Sequence, residues 1–361
     1  MDAAVRIDLA DAPATGMTSQ SPLSRTYETI SLDEWQQFVD NHPQSTPLHH
    51  RKWIELLVTQ YGFKLFLPAI RSNGQVLAAT AFLETRTWLG TRKLISLPFT
   101  DCFTPLSYDD QTLCELMDVV RAQRKTGVKT ISLRMDKTLR GFPHDQHWVR
   151  HRIKLTPEQR DLRPTLAASV KRNLRQAEEN GLEYQRRTDL QAIDDFFRLH
   201  VSTRRRLGLP VQARSYFHQL QRSIINNQLG FVGLVRSGRT PIAAAVFVQH
   251  RGMVVYKYGA SDPAALSRRP NDFLFFNAIQ SAAHDCHGFD FGVTHLRDQG
   301  LRRFKCKWGA VEEPIYDVCI AGDPIGFSGD SRALKLTSAV IRRSPKVLCR
   351  ALGSAFYRYS P

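Results

Sequence analysis

The chain has 361 residues, 42% of them hydrophobic and 10% aromatic, which suits a globular protein with sizeable cores and about two domains. Lysine and arginine outnumber aspartate and glutamate by 50 to 34; the resulting +16 favours polyanionic partners such as nucleic acid, anionic lipid, diphosphates or coenzyme A, without choosing among them. Six scattered cysteines with no Cys-x-x-Cys pair argue against a zinc ribbon or a redox motif, and no run of about 18 apolar residues is there to span a membrane.

Residues 1–24 carry Asp2, Asp8 and Asp11 and lack the basic-then-apolar order of a signal peptide, so they read as a disordered leader of a cytoplasmic protein. The pattern then predicts helices over 35–39 and 52–61, a strand over 63–71, a hairpin turn at Asn73-Gly74 and a returning strand over 76–83. A strand over 93–97, a helix over 113–124 and strands over 128–134 and 148–155 complete a first unit, residues 25–155. Residues 156–164, with Pro157 and Pro164, read as a linker. A second unit, 165–325, repeats the order. It has helices over 166–177 and 193–200, a hairpin over 231–249, a strand over 253–258, a helix over 272–284, a strand over 289–291, a short helix at Leu301 and a strand over 315–320. The expected class is α/β (α+β): two units, each a mostly antiparallel sheet with helices on both faces. Residues 331–361 follow as a tail with seven basic residues and no acidic one. Its interleaved apolar residues make it a candidate for peripheral contact with an anionic inner-membrane surface, or for packing back on the domain.

The most chemically pointed stretch runs from Asp290-Phe291-Gly292 to Phe304-Lys305-Cys306-Lys307-Trp308-Gly309. A strand ending in glycine, a polar loop and a short helix would set two ammonium groups beside aromatic walls. Lysine is a flexible point charge suited to a phosphate or a developing oxyanion; the plainer alternative is a solvated helix face. Arg172 and Arg175 share one rim of a helix and could clamp an anion, or simply keep that helix soluble. Asp101, between Pro98 and Pro105, could accept a proton from an attacking amine or hydroxyl, or serve only as a turn residue. Tyr256 and Tyr258 would share one face of their strand with Lys257 on the other, and a tyrosine hydroxyl there could orient substrate. His284-Asp285-Cys286-His287 lacks a partner set for a tetrahedral metal site, so no metal is expected. The loop Ser267-Arg268-Arg269-Pro270-Asn271 lacks the glycines with which acetyl-CoA-binding enzymes cradle a pyrophosphate.

Five segments, in order, resemble the tandem GNAT acyltransferases that include Fem-type aminoacyltransferases and exopolysaccharide-associated relatives with a BioF2-like acetyltransferase domain. They are Ser169 to Leu182; Leu199-His200 with Thr203 and Arg206 to Pro210; Tyr256 to Ser261; Phe289 to Gly292; and Phe304 to Gly309. The resemblance implies acyl or aminoacyl transfer to an amine or hydroxyl of a cell-envelope or exopolysaccharide precursor, a small-molecule or lipid-linked saccharide. It implies no tightly bound cofactor, the donor substrate being an acyl-CoA, a carrier thioester or an aminoacyl-tRNA. Lys305 is then the donor-binding and oxyanion-stabilising residue, with Asp101 and Tyr256 as further catalytic candidates. Arg172, Arg175, Lys307, Tyr258, Phe304, Trp308 and Asp290 are the substrate-binding candidates. A non-catalytic RNA- or membrane-binding scaffold is the alternative that the basic surface allows.

Overall fold

The computed structural model describes residues 25–87, 89–156, 161–322, 341–343 and 357. The leader, part of the linker and most of the tail lie outside the described residues. In chain order the elements are β1 (Arg25–Thr29), α1 (Leu32–Asn41), α2 (Arg51–Tyr61), β2 (Lys64–Phe66), β3 (Pro68–Ser72), β4 (Gln75–Ala79), β5 (Phe82–Arg86), β6 (Arg92–Ile95), β7 (Leu106–Ser107), α3 (Asp110–Ala122), β8 (Thr130–Met135) and β9 (His144–Lys154). There follow α4 (Ala168–Glu179), β10 (Leu182–Arg187), α5 (Leu190–Leu207), α6 (Arg214–Ser223), β11 (Gly230–Ser237), β12 (Thr240–His250), β13 (Met253–Ser261), α7 (Pro270–Asp285), β14 (Gly288–His295), α8 (Gln299–Cys306) and β15 (Val311–Ala321).

Local chemistry sets many of the boundaries. Ser31 and Glu34 form a reciprocal capping box at the start of α1, satisfying two otherwise orphaned amides. Asp189 caps α5, which ends at Gly208 with φ +72°, the left-handed stop that glycine adopts without strain. Asn73 and Gly74 both take positive φ in the tight turn between β3 and β4.

One sheet of eleven strands runs through both halves in the order β10-β11-β12-β13-β14-β9-β15-β8-β6-β5-β2, beside a small sheet β1-β3-β4-β7. The strand expected over 76–83 is divided between the two sheets: β4 belongs to the small one, and the chain crosses at Thr80-Ala81 into β5 of the large one. The halves echo each other. In the first, β6 and β8 are parallel neighbours with α3 between them in sequence; in the second, β13 and β14 are parallel neighbours with α7 between them.

The halves also interlock. β15 lies between β9 and β8, and β9 pairs with β14 on its other side. Alternation along β11 and β12 feeds two cores on opposite sheet faces. Val232, Leu234, Ala244 and Val246 join a core with α1, α2, α5 and α6, whereas Phe231, Val235, Ala245 and Phe247 join one with α4 and α7. The first of these cores draws on both halves, from Trp35 and Trp53 to Phe196 and Phe217. Two points of the tail also pack on the body. Ile341 is buried in that core. The Tyr357 hydroxyl accepts from Arg204 at 2.8 Å and donates to the Pro210 carbonyl at 3.3 Å.

Candidate functional site

The site arises where β13 and β14 part. Their parallel pairing lasts three residues, Met253 to Val255 against Gly288 to Asp290. Gly292 then takes φ +69°, the register on β9 shifts between Asp290 and Val293, and β14 leaves β13 behind. A Cβ at Gly292 would stand 3.1 Å from Asp101 Oδ2 and 3.4 Å from the Tyr256 carbonyl, so glycine is required by conformation and by space. The edge of β13 from Tyr256 to Ser261 is left open, and a slot of about 370 Å³ lies against it. Ala244, Gly259, Phe275, Leu301 and Phe304 are among the side chains and backbone that line it. Tyr256 also lines it, with its hydroxyl folded over Gly259, where a Cβ would stand 2.0 Å away.

Charged groups from three elements and one loop meet around the Gly292 turn, next to Tyr256, whose side chain lines the slot. Lys305, 2% exposed, donates to the carbonyls of Gly292 at 3.0 Å and Val293 at 3.2 Å. An ammonium has three protons, and these two bonds leave one for another partner. Burial pushes Lys305 down to about 8, opposed by the charges of Asp101, Asp290 and Asp298. Asp290 accepts from the Gly292 amide at 2.6 Å; burial pushes its carboxyl up, opposed by Arg150. Asp101 pairs with Lys257 at 3.2 Å. Burial also pushes the Tyr256 hydroxyl up to about 12, leaving it a neutral donor near neutrality.

Of the residues singled out in the sequence, Lys305, Asp101, Tyr256, Phe304 and Asp290 are thus brought together. Five others are not. Lys307 is ion-paired to Asp272 in the first turn of α7, with its ammonium 4.3 Å from the Phe304 ring centre. Trp308 is buried in the core with α4 and α7 rather than walling the slot. Arg172 and Arg175 are exposed on α4, and neither joins another described residue in an ion pair.

Tyr258 is displaced by a β-bulge. Phe247 faces Tyr256 and Val246 faces Tyr258, so Lys257 is an extra residue between them and the alternation changes phase. The two tyrosines therefore lie on opposite faces. Tyr256 packs on Phe275 at 4.9 Å between ring centres, and Tyr258 hydrogen-bonds Tyr216 at 2.8 Å between hydroxyls.

Pattern reading missed Lys257 and Arg150. A lysine in an apolar Tyr-x-Tyr strand was the available signal for the first. Arg150 is 4% exposed and binds Asp136 at 2.9 Å and Glu313 at 2.7 Å, with Asp290 at 3.9 Å. It ties β9, β14 and β15 to the loop that follows β8.

The start of α7, where a glycine cradle would hold a pyrophosphate, is filled from within. Pro270 at the first helical position has no amide proton. Asp272 sits in the first turn, paired to Lys307 and accepting from Asn173 at 3.3 Å. Arg268 donates to Ser237 and Arg269 to Gln176. Among the described residues, His151, Cys306 and Glu312 have the spacing of a metal-ligand group. Glu312, however, accepts two bonds from Arg302, at 2.8 and 2.6 Å, and a guanidinium already neutralises it.

Residues 165–305 match the acetyltransferase (GNAT) domain family. That stretch, which holds the slot at the parting of two parallel strands, has the GNAT fold, and the whole chain has the fold of FemX and of a tandem GNAT protein. FemX superposes with a TM-score of 0.65 at 16% identity, covering 81% of this chain and 96% of that one. The C-terminal domain of a putative lysylphosphatidylglycerol synthetase from Agrobacterium fabrum gives 0.54 at 14%, covering 86% and 95%. A tandem GNAT protein from the clavulanic acid biosynthesis pathway gives 0.50 at 10%, covering 83% and 100%. Curated proteins gave no sequence match.

Proposed function

We propose that the protein transfers an acyl or aminoacyl group from an activated donor to an amine or hydroxyl of a cell-envelope or exopolysaccharide precursor. The observation that carries this reading is the slot on the open edge of β13, lined by Tyr256 and Phe304, with Lys305, Asp101 and Lys257 gathered around the adjoining Gly292 turn. The donor's acyl carbonyl would lie along the edge. The acceptor's nitrogen or oxygen attacks that carbon; its proton passes to the Asp101 carboxylate and then to the departing oxygen or sulfur as the C–O or C–S bond breaks. The remaining proton of Lys305 stabilises the oxyanion between these steps. Tyr256 orients the donor, and catalysis rests on positioning and electrostatics, with no covalent enzyme intermediate.

The filled start of α7 favours a donor without a diphosphate at that point, an aminoacyl ester or a carrier thioester, over an acyl-CoA. The acceptor, small or lipid-linked, would enter from the side of the first half, which supplies Asp101. Peripheral contact with an anionic membrane through residues 331–361 belongs to the same reading and would bring the enzyme to a lipid-linked acceptor. No helix among the described residues is long and apolar enough to cross a membrane.

The test is a transfer assay with radiolabelled acyl-CoAs, acyl carrier thioesters and a mixed aminoacyl-tRNA pool, offered with amine- and hydroxyl-bearing saccharide precursors. Turnover lost in Asp101→Asn and in Lys305→Ala supports the reading. Donor-independent, salt-sensitive binding to RNA or vesicles, with no turnover and no effect of either substitution, would favour a non-catalytic scaffold.

A further inference from the structure

We propose that Lys257 is a positioning residue: the extra residue of the β13 bulge, it reaches across to the first half and holds the Asp101 carboxylate in place at the Gly292 turn that adjoins the slot. The inference rests on the acyl-transfer reading only in giving Asp101 its use as a base.

The bulge is what makes the reach available. With Tyr256 facing Phe247 and Tyr258 facing Val246, Lys257 has no partner across the ladder. Such extra residues commonly re-aim a side chain beside a site. The Lys257 side chain is 3% exposed, and its ammonium stands 5.6 Å from the Trp53 ring centre and 5.4 Å from that of Tyr258. Inside this aromatic sleeve its ion-pair partner is Asp101 Oδ1 at 3.2 Å. Asp101 itself is 29% exposed, and its other oxygen faces Gly292, at the point where β14 leaves β13. One carboxylate oxygen is thus fixed by the second half while the other stays beside the open strand edge.

The surrounding charges agree. Asp101 is faced by Lys257 from β13, Lys305 from α8 and Asp290 from β14, with Tyr256 nearby. Lys257 is faced by Asp101, Tyr258, Arg134 of β8 and Tyr357. Burial would push the Lys257 ammonium down, but the charge and hydrogen bond of Asp101 together with Tyr258 outweigh it, so the lysine remains protonated. A purely structural role fits less well. A buried ion pair contributes little that a well-packed apolar pair could not, and Trp53 and Tyr258 already offer an apolar seat.

The test follows Asp101 directly. Protein labelled with ¹³C at the aspartate carboxyl carbon is titrated by NMR, with Asp101→Asn assigning the signal. Removing a positive charge 3.2 Å away makes the carboxylate harder to ionise. In Lys257→Met and in Lys257→Gln the Asp101 signal is expected to titrate at higher pH than in wild type, and in Lys257→Arg to return close to it. The glutamine variant keeps a hydrogen-bond donor without the charge and stands in if the methionine variant does not fold. An Asp101 midpoint that moves by less than about 0.3 pH unit in both neutral variants overturns the proposal. Where transfer is measurable, the acid limb of the pH–rate profile should move with the NMR midpoint, and Lys257→Arg should restore it. Absence of transfer with every donor would refute the reaction but leave the titration result standing. Transfer with an unmoved Asp101 titration would refute the role of Lys257 alone.

Discussion

Replacing Arg150 by methionine tests how the two halves are joined. The guanidinium is 4% exposed, with Asp136 at 2.9 Å, Glu313 at 2.7 Å and Asp290 at 3.9 Å. Methionine fills much of the volume but leaves those carboxylates with less countercharge. Glu313 keeps Arg152 at 2.7 Å, and Asp136 keeps a hydrogen bond from Thr104 at 2.6 Å. Asp290 keeps the hydrogen bond from the Gly292 amide and the more distant charges of Arg152 and Lys305. Removing one partner from a buried charge network typically costs about 3–5 kcal/mol. An unfolding entropy of about 2 cal/mol/K per residue over some 300 residues turns that into a fall in Tm of roughly 5–8 °C. Differential scanning calorimetry at pH 7 measures it. Arg150→Lys, which restores a charge but not the fork that reaches two carboxylates, should recover part of the loss. A fall below about 2 °C for the methionine variant would refute the view that this network ties β14 and β15 to the first half.

Three more outcomes are expected. Lys305 is protonated below about 8, so turnover should be full near pH 7, and by pH 9 only about a tenth of the ammonium should remain; Lys305→Ala should cost about 10²–10³-fold in kcat, and a flat profile to pH 9.5 would contradict the oxyanion role. Gly259→Ala places a methyl 2.0 Å from the Tyr256 hydroxyl and so displaces that ring from Phe275, which should reduce donor affinity at least tenfold in a binding titration with little change in Tm. His200 is buried with neither ring nitrogen hydrogen-bonded, and burial pushes it down to about 3. The unfolded chain therefore binds the extra proton between pH 6.5 and 3, and stability falls as pH drops through that window. His200→Phe should recover about 3 kcal/mol at pH 4 relative to wild type, read from urea unfolding at both pH values.

Local patterning made much of this legible. The helix spacings and the Asn73-Gly74 turn match the elements that form, and the Gly292 and Gly309 punctuation alone sets Lys305, Asp290 and Phe304 near one another. The rest depends on distant partners. A one-residue bulge at Lys257 reverses the face of Tyr258, and nothing in the Tyr-Lys-Tyr string distinguishes regular alternation from a bulge. Lys307 reads as a free cation until α7 folds Asp272 against it. The insertion of β15 between β9 and β8 is a matter of topology, fixed by pairing over some 160 residues of sequence. α6 escaped notice because its apolar side, Tyr216, Phe217 and Leu220, is short and set in polar residues.

Whether the slot beside β13 receives the donor is decided by a binding titration with the slot blocked. Gly300 lines the slot, and a Cβ built there meets nothing nearer than Asp298 Oδ1 at 3.7 Å, so Gly300→Trp adds bulk at the slot without entering the core. Wild type and variant are titrated with acyl-CoAs, acyl carrier thioesters and aminoacyl-tRNA. Saturable wild-type binding of an aminoacyl or carrier donor is expected, weakened at least tenfold in the variant at unchanged Tm. Binding equally tight in both proteins, or none of these donors bound by wild type, would contradict it.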